Sequence, residues 1–122
     1  MSGTKRTSVV VAACLLVLGF PGTSLAKEVV KATAGDRWNP DFVHVSWGEK
    51  VIWKNPAWLG EEHTMTAYGR NWSKNVFLSP GERTSKIFRE RGTYKYRCTL
   101  HSDLINGNCS GTMCGVVHRQ PL

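Results

Sequence analysis

The sequence lacks the features that mark a membrane-spanning, a nucleic-acid-binding or a mainly helical protein. Its longest apolar run, Val9 to Phe20, is shorter than the roughly 18 residues that a spanning helix needs. No run of lysines and arginines is interleaved with aromatic residues, as nucleic-acid binding would favour. No window shows sustained helical periodicity, and there are no internal repeats or low-complexity segments. The 122 residues are enough for one domain with one core.

Acidic residues are also scarce, at nine against sixteen lysines and arginines, so the net charge is +7. Loss of an amino-terminal signal that holds two of the basic residues would leave about +5. A moderately basic surface is compatible with acidic partners or anionic membrane surfaces, although solvated surface charge is the simpler explanation.

The amino-terminal segment has the layout of a secretory signal peptide. Basic residues at positions 5 and 6 precede the apolar run, and Ser24 and Ala26 supply small residues at −3 and −1 of a cut after Ala26. We therefore expect a signal peptide over 1–26 and one domain over 27–122, exported to the periplasm, the cell surface or the extracellular space.

A lipoprotein signal is the alternative for the same segment. Residues 11–14 resemble a lipoprotein cleavage box that ends at Cys14, which would leave a lipid anchor on that cysteine. The apolar run continues past Cys14, whereas a lipidated cysteine should end it. We therefore favour the ordinary signal peptide, with no stable membrane insertion after cleavage.

Cysteines are few, and the expected mature chain keeps an odd number of them. Cys14 would leave with the signal, so Cys98, Cys109 and Cys114 remain. In an exported protein, an odd number usually means one disulfide plus one thiol with another role. Counting alone does not identify the unpaired cysteine.

The pattern of short apolar stretches predicts an all-β fold. Strand-like stretches rich in β-branched and aromatic residues alternate with glycine and proline turns, which is typical of a β-sandwich. The stretches that we predict as strands are 28–32, 42–47, 51–53, 63–67, 84–88, 93–98 and 113–118. We also expect Trp38, in the turn after the first of them, to be buried.

The end of the strand at 93–98 collects residues that bind soft metals. Cys98 is followed by His101, and Met113 lies shortly downstream. His63, at the start of another predicted strand, would add a second imidazole. A trigonal set of two histidines and one cysteine, with a long bond to an axial methionine, is the signature of a mononuclear blue-copper electron-transfer site.

These residues stand in segments that resemble the plastocyanin/azurin, or cupredoxin, family. The resemblance covers almost all of 27–122, and the stretch from Gly92 to His101 is its most specific part. It implies a Greek-key β-sandwich that holds one type 1 copper ion, with His63, Cys98 and His101 as equatorial ligands and Met113 as the axial ligand. The matching segments are 51–55, 63–65, 80–82, 92–101 and 111–117.

The chain departs from this family between His101 and Met113. Family members usually place the axial methionine a few residues after the histidine, whereas eleven residues intervene here. Our hypothesis is that a Cys109–Cys114 disulfide ties the lengthened loop back beside the metal, which would leave Cys98 as the free thiolate.

Other assignments of the histidines and cysteines are weaker. A zinc site of Cys98, His101, Cys109 and Cys114 conflicts with an export signal, because exported thiols form disulfides. A copper enzyme with a second catalytic centre would need more histidines than the four present. We expect structural or solvent-exposed roles for His44 and His118 and a core position for Met65.

The sequence therefore predicts a monomeric one-electron carrier that is not an enzyme and that meets its redox partners transiently. The edge of His101 would be the electron port, inside an apolar patch of Leu100, Leu104 and Ile105. The loop residues Pro56, Trp58 and Leu59 would extend that patch, and basic residues around it would steer acidic partners. The alternative function is copper delivery, storage or sequestration by the same ligands.

Overall fold

The structure is a computed structural model that describes residue 3 and residues 26–121. The predictions of a signal peptide and of a lipidated Cys14 concern the segment before Ala26, which lies outside this part of the chain except for residue 3. Within the described residues, no helix is long and apolar enough to span a bilayer.

The described chain is built from eleven short strands and one 3₁₀ turn, Ala57–Leu59, in the connection between β4 and β5. The strands are β1 (Lys27–Thr33), β2 (Arg37–Asn39), β3 (Phe42–Val45), β4 (Lys50–Lys54), β5 (His63–Tyr68), β6 (Asn75–Leu78), β7 (Arg83–Ile87), β8 (Gly92–Arg97), β9 (Ser102–Ile105), β10 (Asn108–Gly111) and β11 (Cys114–Arg119).

These strands form two mixed sheets and a separate hairpin. The first sheet has the order β2-β1-β4-β7, the second has the order β3-β11-β8-β5-β6, and β9 pairs with β10. The pairs β1–β4 and β3–β11 are parallel, and all the other pairs are antiparallel. The chain thus passes repeatedly from one sheet to the other, and the predicted all-β sandwich is confirmed.

The core lies between the sheets and is rich in aromatic side chains. Val51 and Trp53 alternate with more exposed residues on β4, and Tyr94 and Tyr96 do so on β8. Trp53 of the first sheet meets Tyr96 of the second edge to face, with ring centroids 5.3 Å apart. Trp38 is buried as predicted and packs 5.9 Å from Tyr96. Edge-to-face contacts of this kind add about 0.5–1.5 kcal/mol to the gain from burial.

A glycine sets the close approach of β11 to β8. Gly115 lies opposite Tyr96 in the antiparallel register, and a Cβ atom at this position would overlap the Tyr96 ring. Gly115 therefore leaves room for the tyrosine. The strand pairing continues to the residue before β11, where the Cys98 N–H donates to the Met113 carbonyl oxygen at 3.0 Å.

Several elements differ from the predicted strands. The short strands β2 and β6 were not predicted, and β3 ends before Trp47, which is exposed. The lengthened segment after His101 is the β9–β10 hairpin rather than an irregular loop. Its turn consists of Asn106 and Gly107, both with positive φ, as a two-residue hairpin turn requires.

Candidate metal centre

Four connections at one end of the sandwich deliver the candidate metal-binding residues. The connection after β4 leads to His63, the first residue of β5, and Cys98 and His101 directly follow β8. Met113 stands between β10 and β11, and the β1–β2 turn ends with Asp36. Residues from distant parts of the sequence therefore meet at this end.

Buried hydrogen bonds fix the approach to His63. The Asn55 side chain, which is only 1% exposed, donates through Nδ2 to the Glu61 carbonyl oxygen at 2.7 Å and to the Leu78 carbonyl oxygen at 2.9 Å. Because a buried amide with two partners is costly to disrupt, Asn55 holds the loop that places the histidine.

The turn that carries Cys98 and His101 is tied to β5 and to β9. The Thr99 N–H donates to Thr64 Oγ1 at 2.8 Å, which links the turn to the residue after His63. Ser102 Oγ donates to the Cys98 carbonyl oxygen, and Arg97 donates to the Ser102 carbonyl oxygen at 2.9 Å. The backbone between the two candidate ligands is therefore held on both sides.

Three donor atoms converge in this region. His63 Nδ1 lies 3.2 Å from His101 Nδ1, and Cys98 Sγ lies 3.4 Å from His101 Nδ1 and 3.9 Å from His63 Nδ1. Ligand atoms in a trigonal plane, with bonds of about 2.0–2.3 Å to one ion, lie about 3.5–4 Å apart. The spacing and chemistry of these donors therefore fit a single metal ion.

The surroundings of two of these side chains suit metal binding. Cys98 is fully buried, and its sulfur accepts a hydrogen bond from the Thr64 N–H at 3.3 Å, which orients the sulfur toward the two histidines. His63 is also fully buried. Burial, and then the neighbouring His101, lower the pKa of His63 and favour the neutral imidazole whose lone pair can bind a metal.

Two carboxylates that sequence reasoning missed lie behind the histidines. Asp36 Oδ1 is 3.5 Å from His101 Nε2, and Glu61 Oε2 is 4.0 Å from His63 Nε2. The neighbouring carboxylate of Asp36 raises the pKa of Glu61. Nothing in the local sequence around Asp36 or Glu61 signals this grouping, because the fold alone brings the two loops together.

Met113 is fully buried, and its backbone is hydrogen-bonded to that of Cys98. The Cys109–Cys114 disulfide, with a sulfur–sulfur distance of 2.02 Å, closes the short segment that contains Met113. The hypothesised disulfide is therefore present, and Cys98 is the free cysteine of the described residues. Axial binding by Met113 stays a prediction.

The remaining candidate residues are not part of this group. The disulfide removes Cys109 and Cys114 from any Cys₃His zinc site, so that alternative is wrong. His44 and His118 face each other across β3 and β11 with ring centroids 5.4 Å apart, and Met65 is a core residue. The three donors gathered by the fold are thus His63, Cys98 and His101.

Comparisons with known proteins support the fold. No family model and no curated protein sequence matches this chain. A purple cupredoxin from Nitrosopumilus maritimus matches with 21% identity and a TM-score of 0.57 over 76% of this chain and 99% of its own. Two amicyanin variants in the Cu(I) form match with 23% and 22% identity and a TM-score of 0.60 each. They cover 78% and 83% of this chain and 83% and 90% of their own chains. The chain therefore has a cupredoxin-like fold.

Proposed function

We propose that this protein is a small electron carrier with one type 1 copper ion. The observation that carries the proposal is the convergence of His63 Nδ1, Cys98 Sγ and His101 Nδ1 within 3.2–3.9 Å of one another at one end of a cupredoxin-like sandwich. Two imidazoles and a thiolate in a trigonal set are the donors of blue-copper sites. Met113 would be the axial ligand.

When bound, copper would supply one-electron chemistry by changing between Cu(II) and Cu(I). The protein would hold the donor atoms still while the electron moves. Strand β5 fixes His63, the Thr64–Thr99 hydrogen bond fixes the turn with Cys98 and His101, and the Thr64 N–H donates to the Cys98 sulfur. A rigid donor set suits both oxidation states and keeps the reorganisation energy of electron transfer small.

Names of similar solved structures support this assignment. The structural matches include a purple cupredoxin and amicyanins described in Cu(I) form. Those names belong to the matched proteins, and the donor geometry of this chain extends the proposal to it. The layout of 1–26 supports export to the periplasm, the cell surface or the extracellular space.

His101 is the proposed electron port. Its side chain is 26% exposed, whereas His63 and Cys98 are fully buried. Leu100, Leu104 and Ile105, on the adjoining turn and β9, are 53%, 43% and 57% exposed. We call these three residues the port patch. A small apolar patch beside an exposed ligand suits transient redox encounters.

Basic charge on the first sheet supports an acidic partner. The register places Lys31, Lys54 and Arg83 side by side across β1, β4 and β7. Trp58, on the 3₁₀ turn near this row, is 77% exposed and would extend the docking surface. Together with the excess of basic residues in the sequence, this row would attract acidic proteins over long range.

The proposal is tested by reversible voltammetry of the copper-loaded protein. The expected result is one copper per chain, reversible cycling, and retention of the reduced metal in the presence of a Cu(I) chelator. Loss of copper on reduction would contradict electron transfer and favour delivery or storage. A Cys98→Ser variant is the control, and it should not give the reversible wave.

A further inference from the structure

The Nε2 edge of His101 faces a buried acceptor atom of Asp36. Asp36 Oδ1 lies 3.5 Å from His101 Nε2, just beyond hydrogen-bonding distance, and it has no hydrogen-bond partner within the described residues. Buried carboxylate oxygens are seldom left unpaired, because the loss of hydration is costly. A donor close to this oxygen is therefore expected.

The chemistry of the other ring nitrogen identifies that donor. His101 Nδ1 is the atom that faces Cys98 Sγ and His63 Nδ1, so it must be unprotonated to bind a metal. The single proton of a neutral imidazole then sits on Nε2, the nitrogen that faces Asp36. Histidines that bind metals usually donate this second N–H to a carboxylate, a carbonyl group or water.

We propose that Asp36 is a positioning residue for His101. It accepts the Nε2–H, fixes the tautomer and the ring orientation, and places a negative charge behind the exposed ligand. This inference rests on the proposed function, because it assigns His101 Nδ1 to copper. It also links the two sheets at the metal end, since Asp36 comes from the first sheet and His101 follows a strand of the second.

The turn that carries Asp36 is built to hold it in place. Thr33 pairs with Arg37 across the turn, and Thr33 Oγ1 donates to the Arg37 carbonyl oxygen at 3.4 Å. Gly35 and Asp36 have φ values of 84° and 53°. Aspartate, asparagine and glycine are the residues that tolerate this left-handed conformation best. Asp36→Asn and Asp36→Gly therefore change the side chain without straining the backbone.

Glu61 offers a matched control. It belongs to the same acidic group, but the imidazole nitrogen that it approaches within 4.0 Å is that of His63 and not that of His101. Glu61→Gln removes this neighbouring carboxylate and keeps the Asp36 carboxylate as the acceptor for His101. A general loss of negative charge can thus be separated from the loss of the acceptor for His101.

The test follows the His101 Nε2–H by NMR in protein labelled with ¹⁵N at histidine and loaded with Zn(II) or Cu(I). In the wild type and in Glu61→Gln, this proton should exchange slowly with solvent. In Asp36→Gly it should exchange at least about tenfold faster, and Asp36→Asn should restore part of the protection through its amide oxygen.

A second readout is the reduction potential of the copper-loaded protein. Both Asp36 variants should raise it, because a carboxylate near the metal stabilises Cu(II) relative to Cu(I). Thermal stability without metal should stay unchanged in Asp36→Asn, which a purely structural role would not predict.

The inference is overturned if the His101 Nε2–H exchanges equally fast in the wild type and in Asp36→Gly, or if neither Asp36 variant changes the potential. These outcomes differ from failure of the proposed function. If the proposed function itself failed, the wild type would give no reversible copper couple, whatever residue stands at position 36.

Discussion

Cys98 is the residue on which the proposed centre depends most. It is the free, buried cysteine of the described residues, and its sulfur faces both candidate histidines. The local sequence was enough to find it, because a cysteine and a histidine three residues apart after a strand form a recognisable metal-binding pattern. His63 could be found because it opens a predicted strand in a segment that resembles the cupredoxin family.

Replacing Cys98 with serine tests the role of the thiolate. We expect Cys98→Ser to keep the fold and to abolish the intense visible absorption of the Cu(II) form, because that colour arises from the copper–thiolate bond. Absorption spectra of both copper-loaded proteins check this. Equal absorption in the variant would contradict the assignment.

The lowered pKa of His63 predicts that the stability of the metal-free protein depends on pH. Burial lowers its pKa below the ordinary value of 6.5 in the folded, metal-free protein. Below pH 6.5 the unfolded chain therefore binds a proton that folded His63 resists. The contribution of His63 to stability is therefore fully present above this pH and falls with acidification, by up to about 1.4 kcal/mol per pH unit, until the folded protein also takes up the proton.

Urea denaturation of the metal-free protein between pH 7 and pH 5 measures this effect. His63→Gln is the control, and its stability should depend less on pH because residue 63 no longer titrates. If both proteins lost the same stability over this range, His63 would not be the cause.

The positions of Asp36 and Glu61 beside the histidines could not be predicted from the sequence. Asp36 and Glu61 lie 25 positions apart in loops of ordinary composition, and each approaches a different histidine. Their grouping follows from the packing of the β1–β2 turn against the loop before β5. Sequence spacing contains no signal for this kind of contact.

Among the strands, the sequence predicted the longer ones and missed four short ones, β2, β6, β9 and β10. The buried residues of β4 and β8 alternate with more exposed ones, and this pattern is visible in the sequence. The hairpin strands β9 and β10 contain only one buried residue between them, so no alternation marks them. The Asn106-Gly107 dipeptide was the available signal, since it favours a two-residue hairpin turn.

The Cys109–Cys114 disulfide, which joins β10 to β11, should stabilise the segment around Met113. The cysteines are separated by five positions, and closing so short a loop contributes roughly 2 kcal/mol in the chain-entropy model. We expect a Cys109→Ser/Cys114→Ser protein to lose about this much stability in denaturant unfolding. An unchanged midpoint would contradict the expectation.

Thiol titration gives an independent check of the pairing. In denatured, unreduced protein that begins at Lys27, one cysteine should react, and that cysteine should be Cys98. Three reactive thiols would mean that the disulfide does not form.

The pairing of β8 with β11 depends on Gly115. Because a Cβ atom there would overlap the Tyr96 ring, we expect Gly115→Ala to cost about 1–3 kcal/mol of stability. A double-mutant cycle with Tyr96→Ala tests the cause by denaturant unfolding. The alanine at 115 should cost much less once the ring is gone, and additive effects would rule out the overlap.

Across the whole molecule, acidic and basic groups occupy different places. Asp36 and Glu61 lie beside the histidines, whereas Lys31, Lys54 and Arg83 form a row on the first sheet. The port patch lies on the turn and hairpin next to His101. An acidic partner would be attracted from a distance by the basic row and would make its close contact through the port patch.

A charge in the port patch should slow electron exchange between copies of the protein. We expect Leu104→Lys to lower the self-exchange rate between oxidised and reduced forms by at least about tenfold, because two like charges would meet in the encounter. Trp47→Lys is a matched control, since Trp47 is 55% exposed in the turn that precedes β4, at the end opposite to the metal. NMR line broadening measures both rates, and equal rates would exclude the port patch.

In the proposed centre, His63, Cys98 and His101 would hold one copper ion in a trigonal set. The most direct test is the absorption and electron paramagnetic resonance spectra of the Cu(II)-loaded protein. We expect an intense blue to green colour and a small copper hyperfine splitting, both caused by a strongly covalent bond to the Cys98 thiolate. A nearly colourless complex with a large hyperfine splitting, or no stoichiometric copper binding, would contradict it.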